Sequence, residues 1–185
     1  MSSSTIPTVE KWIIRWVIAP KLRRFSAAKA RDIFIEEGKK ILRLSADLPE
    51  SALRQRVQIK RIPGLDPVST NWSVSMTIEH LIIVANAIMP VIESLRQNKK
   101  PAGAASMAAV KPQDRYTGAQ ARQSFEQLVT SWPNRFDLQA LDQAPGITFD
   151  HPWFGPLNAA GWYKMLATHQ RLHRQQIEKI IAGLD

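Results

Sequence analysis

The chain carries four histidines, His80, His151, His169 and His173, and no cysteine. Without a thiolate there is no disulfide framework, no sulfur ligand, no cysteine nucleophile and no thiol relay, so any metal must sit on imidazole and carboxylate. His169 and His173 are separated by one helical turn, which puts two imidazoles on the same side of a helix within reach of one ion. They fall in a stripe of Trp162, Met165, Leu166, His169, His173, Gln176, Ile177 and Ile180, at the three-, four- and seven-residue spacings of a buried helical face. His80 falls in a comparable stripe with Met76, Ile83, Val84, Ala87 and Val91.

A lone inward histidine is ordinarily a core residue hydrogen-bonded to a buried polar group, and that reading stands for each of the three taken singly. A protonated imidazole is costly in an apolar core, however, and three neutral ones clustered call for a shared partner, which a divalent cation supplies. Three nitrogens would leave open positions on the metal, the arrangement of a catalytic rather than a structural site. The pattern is not that of a zincin, which needs glutamate after the first histidine where this chain has Gln170, and the paired Glu-x-x-His of di-iron bundles is absent.

The elements that must position these residues are helical. Val9–Ile18 predicts a short amphipathic helix, with Trp12, Ile13, Trp16 and Val17 on one side and Lys11 and Arg15 on the other, interrupted by Pro20. The leading expectation is that its two tryptophans lie over the body; the alternative is a helix lying on an anionic membrane surface. A first long helix is expected from about Ala27 to Leu48, on Ile33, Phe34, Ile41, Leu44 and Leu48. Residues 50–70 read as a long connection with extended pieces and turns, and no chemistry is assigned to them. A second helix is expected from Ser73 to about Gln97, kinked or broken at Pro90, followed by a small-residue basic linker, 98–106, with little to pack. A third runs from Thr117 to Trp132, where Pro133 stops it. Residues 134–157 form a proline-stiffened, aromatic loop that should pack on the body, and Asn158 caps a last helix reaching about Ala182 before Gly183.

The chain of 185 residues is 44% hydrophobic, enough for one domain with a real core. No stretch offers the ~20 uninterrupted apolar residues of a membrane span, and Met1–Thr5 lacks the pattern of a secretory leader, so the expectation is a cytoplasmic address, membrane-peripheral as the alternative. Of the net charge of +9, residues 1–31 hold +6, seven bases against Glu10, and the rest only +3. The charge therefore belongs to the N-terminal arm.

Three stretches resemble the DinB/YfiT-like superfamily of metal-dependent four-helix proteins: Asn71-Trp72-Ser73-Val74 leading into Glu79-His80-Leu81, the loop His151-Pro152-Trp153-Phe154-Gly155-Pro156-Leu157, and His169-Gln170-Arg171-Leu172-His173-Arg174-Gln175-Gln176-Ile177. The likeness spans roughly residues 27–182. It implies an all-α four-helix bundle with long crossover loops, here bearing an extra N-terminal amphipathic helix, so that 1–26 form a basic arm and 27–185 the bundle. It also implies a divalent metal, commonly zinc or nickel, on His80, His169 and His173. His151 belongs to the loop motif and is ranked a pocket-wall residue. Members with known activity are thiol-dependent enzymes, so a hydrolase or low-molecular-weight thiol transferase acting on a small molecule is expected, with the thiol as cosubstrate and a homodimer left open. No catalytic base is named: Glu79 points off its stripe, and spacing alone does not place Glu37, Glu126 or Asp150 near the metal. The competing reading is a non-catalytic scaffold docking an anionic membrane or acidic partner through residues 9–25. Nucleic-acid binding is set aside, because no basic stripe with interleaved aromatics and no helix-turn-helix signature is present.

Overall fold

The four long helices each begin at a side chain that satisfies the free amides of a first turn. In the computed structural model, which describes residues 6–22 and 24–184, Ser26 accepts from Lys29 N ahead of α3 (Ala27–Leu44) and Ser73 from Met76 N ahead of α5 (Val74–Arg96). Thr117 and Gln120 make a reciprocal capping box at α6 (Gly118–Ser131), and Asn158 accepts from Gly161 N at the start of α8 (Ala159–Ile181). The reading of Met1–Thr5, and Arg23 of the basic arm, lie outside the described residues.

The protein is predominantly helical. The long helices touch in a closed cycle, α3 with α8, α8 with α5, α5 with α6 and α6 with α3. Inside it lie Phe34 and Ile41 of α3, Ile78, Ile92 and Leu95 of α5, Phe125 of α6 and Ile177 and Ile180 of α8, all but fully buried. Phe34, Trp132 and Tyr163 stack into one aromatic column, with the Trp132 centroid 5.1 Å from Phe34 and 4.9 Å from Tyr163, and Phe136 meets Trp132 and Tyr163 edge-on. Helix α5 is long and apolar enough by composition to cross a bilayer, at a mean hydropathy of 1.6, yet 67% of that window is buried inside the protein, as befits a core helix.

Short elements fill the connections. Between α3 and α5 come α4 (Glu50–Arg54) and the strands β1 (Val57–Gln58) and β2 (Asn71–Trp72), antiparallel, with Val57 opposite Trp72. Between α6 and α8 come α7 (Leu138–Asp142) and a hairpin of β3 (Phe149–His151) and β4 (Gly155–Leu157), with His151 opposite Gly155. Asp142 ties the hairpin side to the bundle by an ion pair to Lys164 at 2.8 Å and by accepting from Ala27 N.

Several expectations are corrected. The N-terminal helix does not stop at Pro20: α1 (Thr8–Ile13) passes through a π-helical turn, Ile14–Ile18, into α2 (Ala19–Leu22). Ala19 N donates to the Ile14 carbonyl five residues back, a widened turn just ahead of the residue that has no N–H to give. Nor do the tryptophans lie on the body: Trp12 and Trp16 are 60% and 63% exposed, while Ile14, Ala19 and Leu22 face inward. Helix α5 continues without a break through Pro90, which has no N–H to offer the carbonyl of the exposed Asn86 one turn earlier. The segment after α5 is not an unpacked linker; Pro101 to Val110 cover the open side of α5 and line a cavity.

Candidate metal centre

Helices α5 and α8 bring His80, His169 and His173 together. His169 Nε2 lies 3.2 Å from His80 Nε2 and 3.1 Å from His173 Nε2, and all three potential ligand atoms fall within 4.8 Å of one another. A divalent cation with nitrogens at about 2.0–2.1 Å would set them about 3.0 Å apart in an octahedron and about 3.4 Å apart in a tetrahedron. The two spacings from His169, 3.2 and 3.1 Å, lie between these.

Hydrogen bonding fixes which nitrogens look inward. His80 Nδ1 lies 2.7 Å from the Val110 carbonyl, an obligate acceptor, so Nδ1 carries the hydrogen and Nε2 the lone pair. The Gln176 amide nitrogen donates to the Ser69 carbonyl at 2.8 Å, which turns its oxygen toward His173 Nδ1 at 2.6 Å and leaves that Nε2 bare as well. Trp72 completes the frame, stacking on His173 with 13° between planes and tilting against His80 at 5.2 Å. His169 Nε2 thus meets two lone pairs, of which its single hydrogen could satisfy one, and its Nδ1 is buried without a partner. A cation removes that conflict, and carbonyl-anchored imidazoles are how metal-binding histidines are ordinarily held. The donor set therefore fits a divalent metal.

Burial favours the neutral, ligating form throughout. It pushes His80 down to about 4, and it holds His169 and His173 well below the ordinary imidazole value, the neighbouring imidazoles adding to the effect. His80 and His173 are buried and His169 is partly exposed.

The exposed edge of the cluster opens on a cavity of about 420 Å³ walled by Val84, Ile88, Phe149, Trp153, Met165 and Leu172 among others, with no Asp, Glu, Lys or Arg in its lining among the described residues. His151 is part of this wall. Its Nδ1 accepts from Trp153 N and Phe154 N, so the neutral ring carries its hydrogen on Nε2, and burial holds the ring neutral with a value of about 4. A smaller space of about 30 Å³ beside the three histidines is lined by Asp66, Trp72 and Lys111.

The four carboxylates weighed from sequence line neither cavity. Glu79 is buried and accepts from Gln113 N, holding the segment after α5 in place. Glu37, buried at 2% exposure, is held by Arg174, Lys40 and Arg171. Burial pushes its carboxyl up, but the Arg174 and Lys40 hydrogen bonds outweigh this and leave it below its ordinary value. Glu126 and Asp150 are exposed. The carboxylate beside the histidines is instead Asp66, from a stretch to which the sequence assigned no chemistry. Its signal was faint, an Asp-Pro turn next to the Asn71-Trp72 motif. The Val110 carbonyl, a backbone atom, had none.

The model of the DinB superfamily matches residues 33–177. The chain belongs to this superfamily. No curated protein and no solved structure matches it.

Proposed function

We propose that this protein is a metal-dependent enzyme of DinB-like type, a four-helix bundle of residues 27–185 preceded by a basic arm of residues 1–26. In this reading it transfers a low-molecular-weight thiol, as its thiolate, to an apolar electrophile. The carrying observation is the meeting of three inward ligand nitrogens, His169 Nε2 3.2 Å from His80 Nε2 and 3.1 Å from His173 Nε2 and all within 4.8 Å of one another, at the end of a cavity that no charged side chain lines among the described residues. His80, His169 and His173 would hold the ion, zinc or nickel. When bound, such a cation would supply Lewis acidity and lower the pKa of a thiol or water held on it.

The rest follows from the residues themselves. The apolar walls of Val84, Ile88, Phe149 and Met165 exclude water and select a substrate without charge. The Nε2 hydrogen of His151, in the same wall, can donate to a leaving group or carbonyl. Transfer forms a carbon–sulfur bond, the leaving group departs with its electron pair, and the thiol proton passes to solvent. Water in place of the thiol would make a hydrolase. Asp66 favours that second reading, since it lines the small space beside the histidines, whereas no carboxylate lines the larger cavity among the described residues.

Elemental analysis of the purified protein should find about one divalent ion per chain, and His169→Ala should lose it while keeping its helical circular dichroism. If the wild type has no affinity for zinc or nickel by calorimetry, and the variant is no less stable, the reading fails. Asp66→Asn separates the chemistries: thiol transfer survives it, hydrolysis does not.

A further inference from the structure

The described part of the N-terminal helix has two apolar sides, and only one of them is used. Ile14, Ala19 and Leu22 are buried against the body. Val9, Trp12, Ile13, Trp16 and Val17 face outward, 69%, 60%, 41%, 63% and 38% exposed. Soluble proteins rarely leave so many large apolar side chains contiguous in water unless something covers them.

The helix is not free to roll and bury them. Glu10 pairs with Arg61 and accepts from Gly64 N at 3.0 Å, which clamps the start of α1. Farther along, the Arg15 guanidinium lies over the β3–β4 turn, so close that a Cβ on Gly155 would sit 3.1 Å from Arg15 Nε. The tryptophans are held outward by the structure.

Charge selects what covers them. With Glu10 occupied by Arg61, the exposed bases Lys21 and Arg24 and the flanking Lys11 and Arg15 have no acidic counterpart on the helix. Outward tryptophans among aliphatic residues, bordered by bases, suit the boundary of an anionic bilayer, where indole rings settle at headgroup depth and lysine and arginine meet lipid phosphates. We propose that the outer face of α1 and the π-turn, Val9 to Val17, docks this protein on an anionic phospholipid membrane, with Lys21 and Arg24 as the electrostatic contacts. The docked face is the back of the cavity wall, since Ile14 and Ile18 line that cavity from the inside. This reading needs no metal.

The full-length protein should co-sediment with vesicles of phosphatidylcholine and phosphatidylglycerol, bind weakly to phosphatidylcholine alone, and release as salt rises. Its tryptophan emission should shift to the blue on binding. Trp12→Ala/Trp16→Ala should weaken binding on the order of tenfold or more, and Lys21→Glu/Arg24→Glu should weaken it only for anionic vesicles, both variants keeping wild-type circular dichroism and metal content. Absence of binding to anionic vesicles overturns the proposal, as does wild-type binding by the tryptophan variant. So does a homodimer that the tryptophan variant converts to monomer, because the face would then belong to a second copy.

Discussion

Two of the three imidazoles, His80 and His173, are set by partners that leave their Nε2 lone pairs facing His169. Val110 O and Gln176 Oε1 take the Nδ1 hydrogens of His80 and His173, and burial keeps both rings neutral. The consequence for stability has a definite sign. In the metal-stripped protein an unfolded imidazole takes up a proton near its ordinary value of 6.5, while folded His80 resists until about 4. The neutral folded site is therefore at full strength above 6.5 and loses ground as pH falls toward 4, by about 3 kcal/mol for His80 alone, with His169 and His173 acting in the same direction. Glu10 and Glu37, with values below their ordinary 4.5, weaken the fold only at still lower pH. Urea melts of chelator-treated protein at about pH 7.5 and about pH 5 should thus show a clear loss at the lower pH, larger than in His80→Gln. Equal stability at the two would mean the rings are not desolvated as described.

At the scale of elements, α8 can approach α3 only because residue 38 lacks a side chain. A Cβ on Gly38 would sit 2.5 Å from Val129 Cγ2 and 2.6 Å from Gln170 Nε2, the amide that bonds the Phe34 carbonyl at 2.9 Å. Alanine there gains about 1 kcal/mol of helix propensity, but overpacking costs about 1–3 kcal/mol and the Gln170 bond is lost, so Gly38→Ala should destabilise by about 1–2 kcal/mol. Gly146→Ala, which meets nothing within 4 Å, serves as the neutral control in the same thermal melts. Much of this element plan was legible in the chain. Ser73, Thr117 and Asn158 announce helix starts because capping is local chemistry, and the α8 stripe from Trp162 to Ile180 is inward as its spacing required, apart from the partly exposed His169. The cluster of His80, His169 and His173 followed from two such stripes. Local rules could not place Asp66 or the Val110 carbonyl, which reach the site through tertiary packing of irregular chain. They also could not orient the N-terminal helix, where Trp12 and Trp16 on one side and Ile14 and Ala19 on the other are equally apolar, so periodicity did not say which side is buried. Helix α7 and the β3–β4 hairpin were missed for a related reason: each is too short to carry a period.

At the scale of the whole molecule, the arm and the body are joined but not equivalent. The superfamily match begins at residue 33, and the histidines sit on α5 and α8 of the closed cycle of α3, α5, α6 and α8. Yet Ile6, Ile14 and Leu22 are buried against that body, and Ile14 and Ile18 close one wall of its cavity. Removing residues 1–25, with Ser26 kept because its side chain caps α3, should leave a helical protein that still takes up its metal. It should be less stable by on the order of 3 kcal/mol or more, from the loss of three buried aliphatic side chains, and should bind a hydrophobic dye more strongly through the opened cavity. Far-ultraviolet circular dichroism, metal content and dye fluorescence of the shortened chain check this together. An unfolded product would show that the arm belongs to the core, and that the boundary between a basic arm and a self-sufficient bundle is drawn in the wrong place.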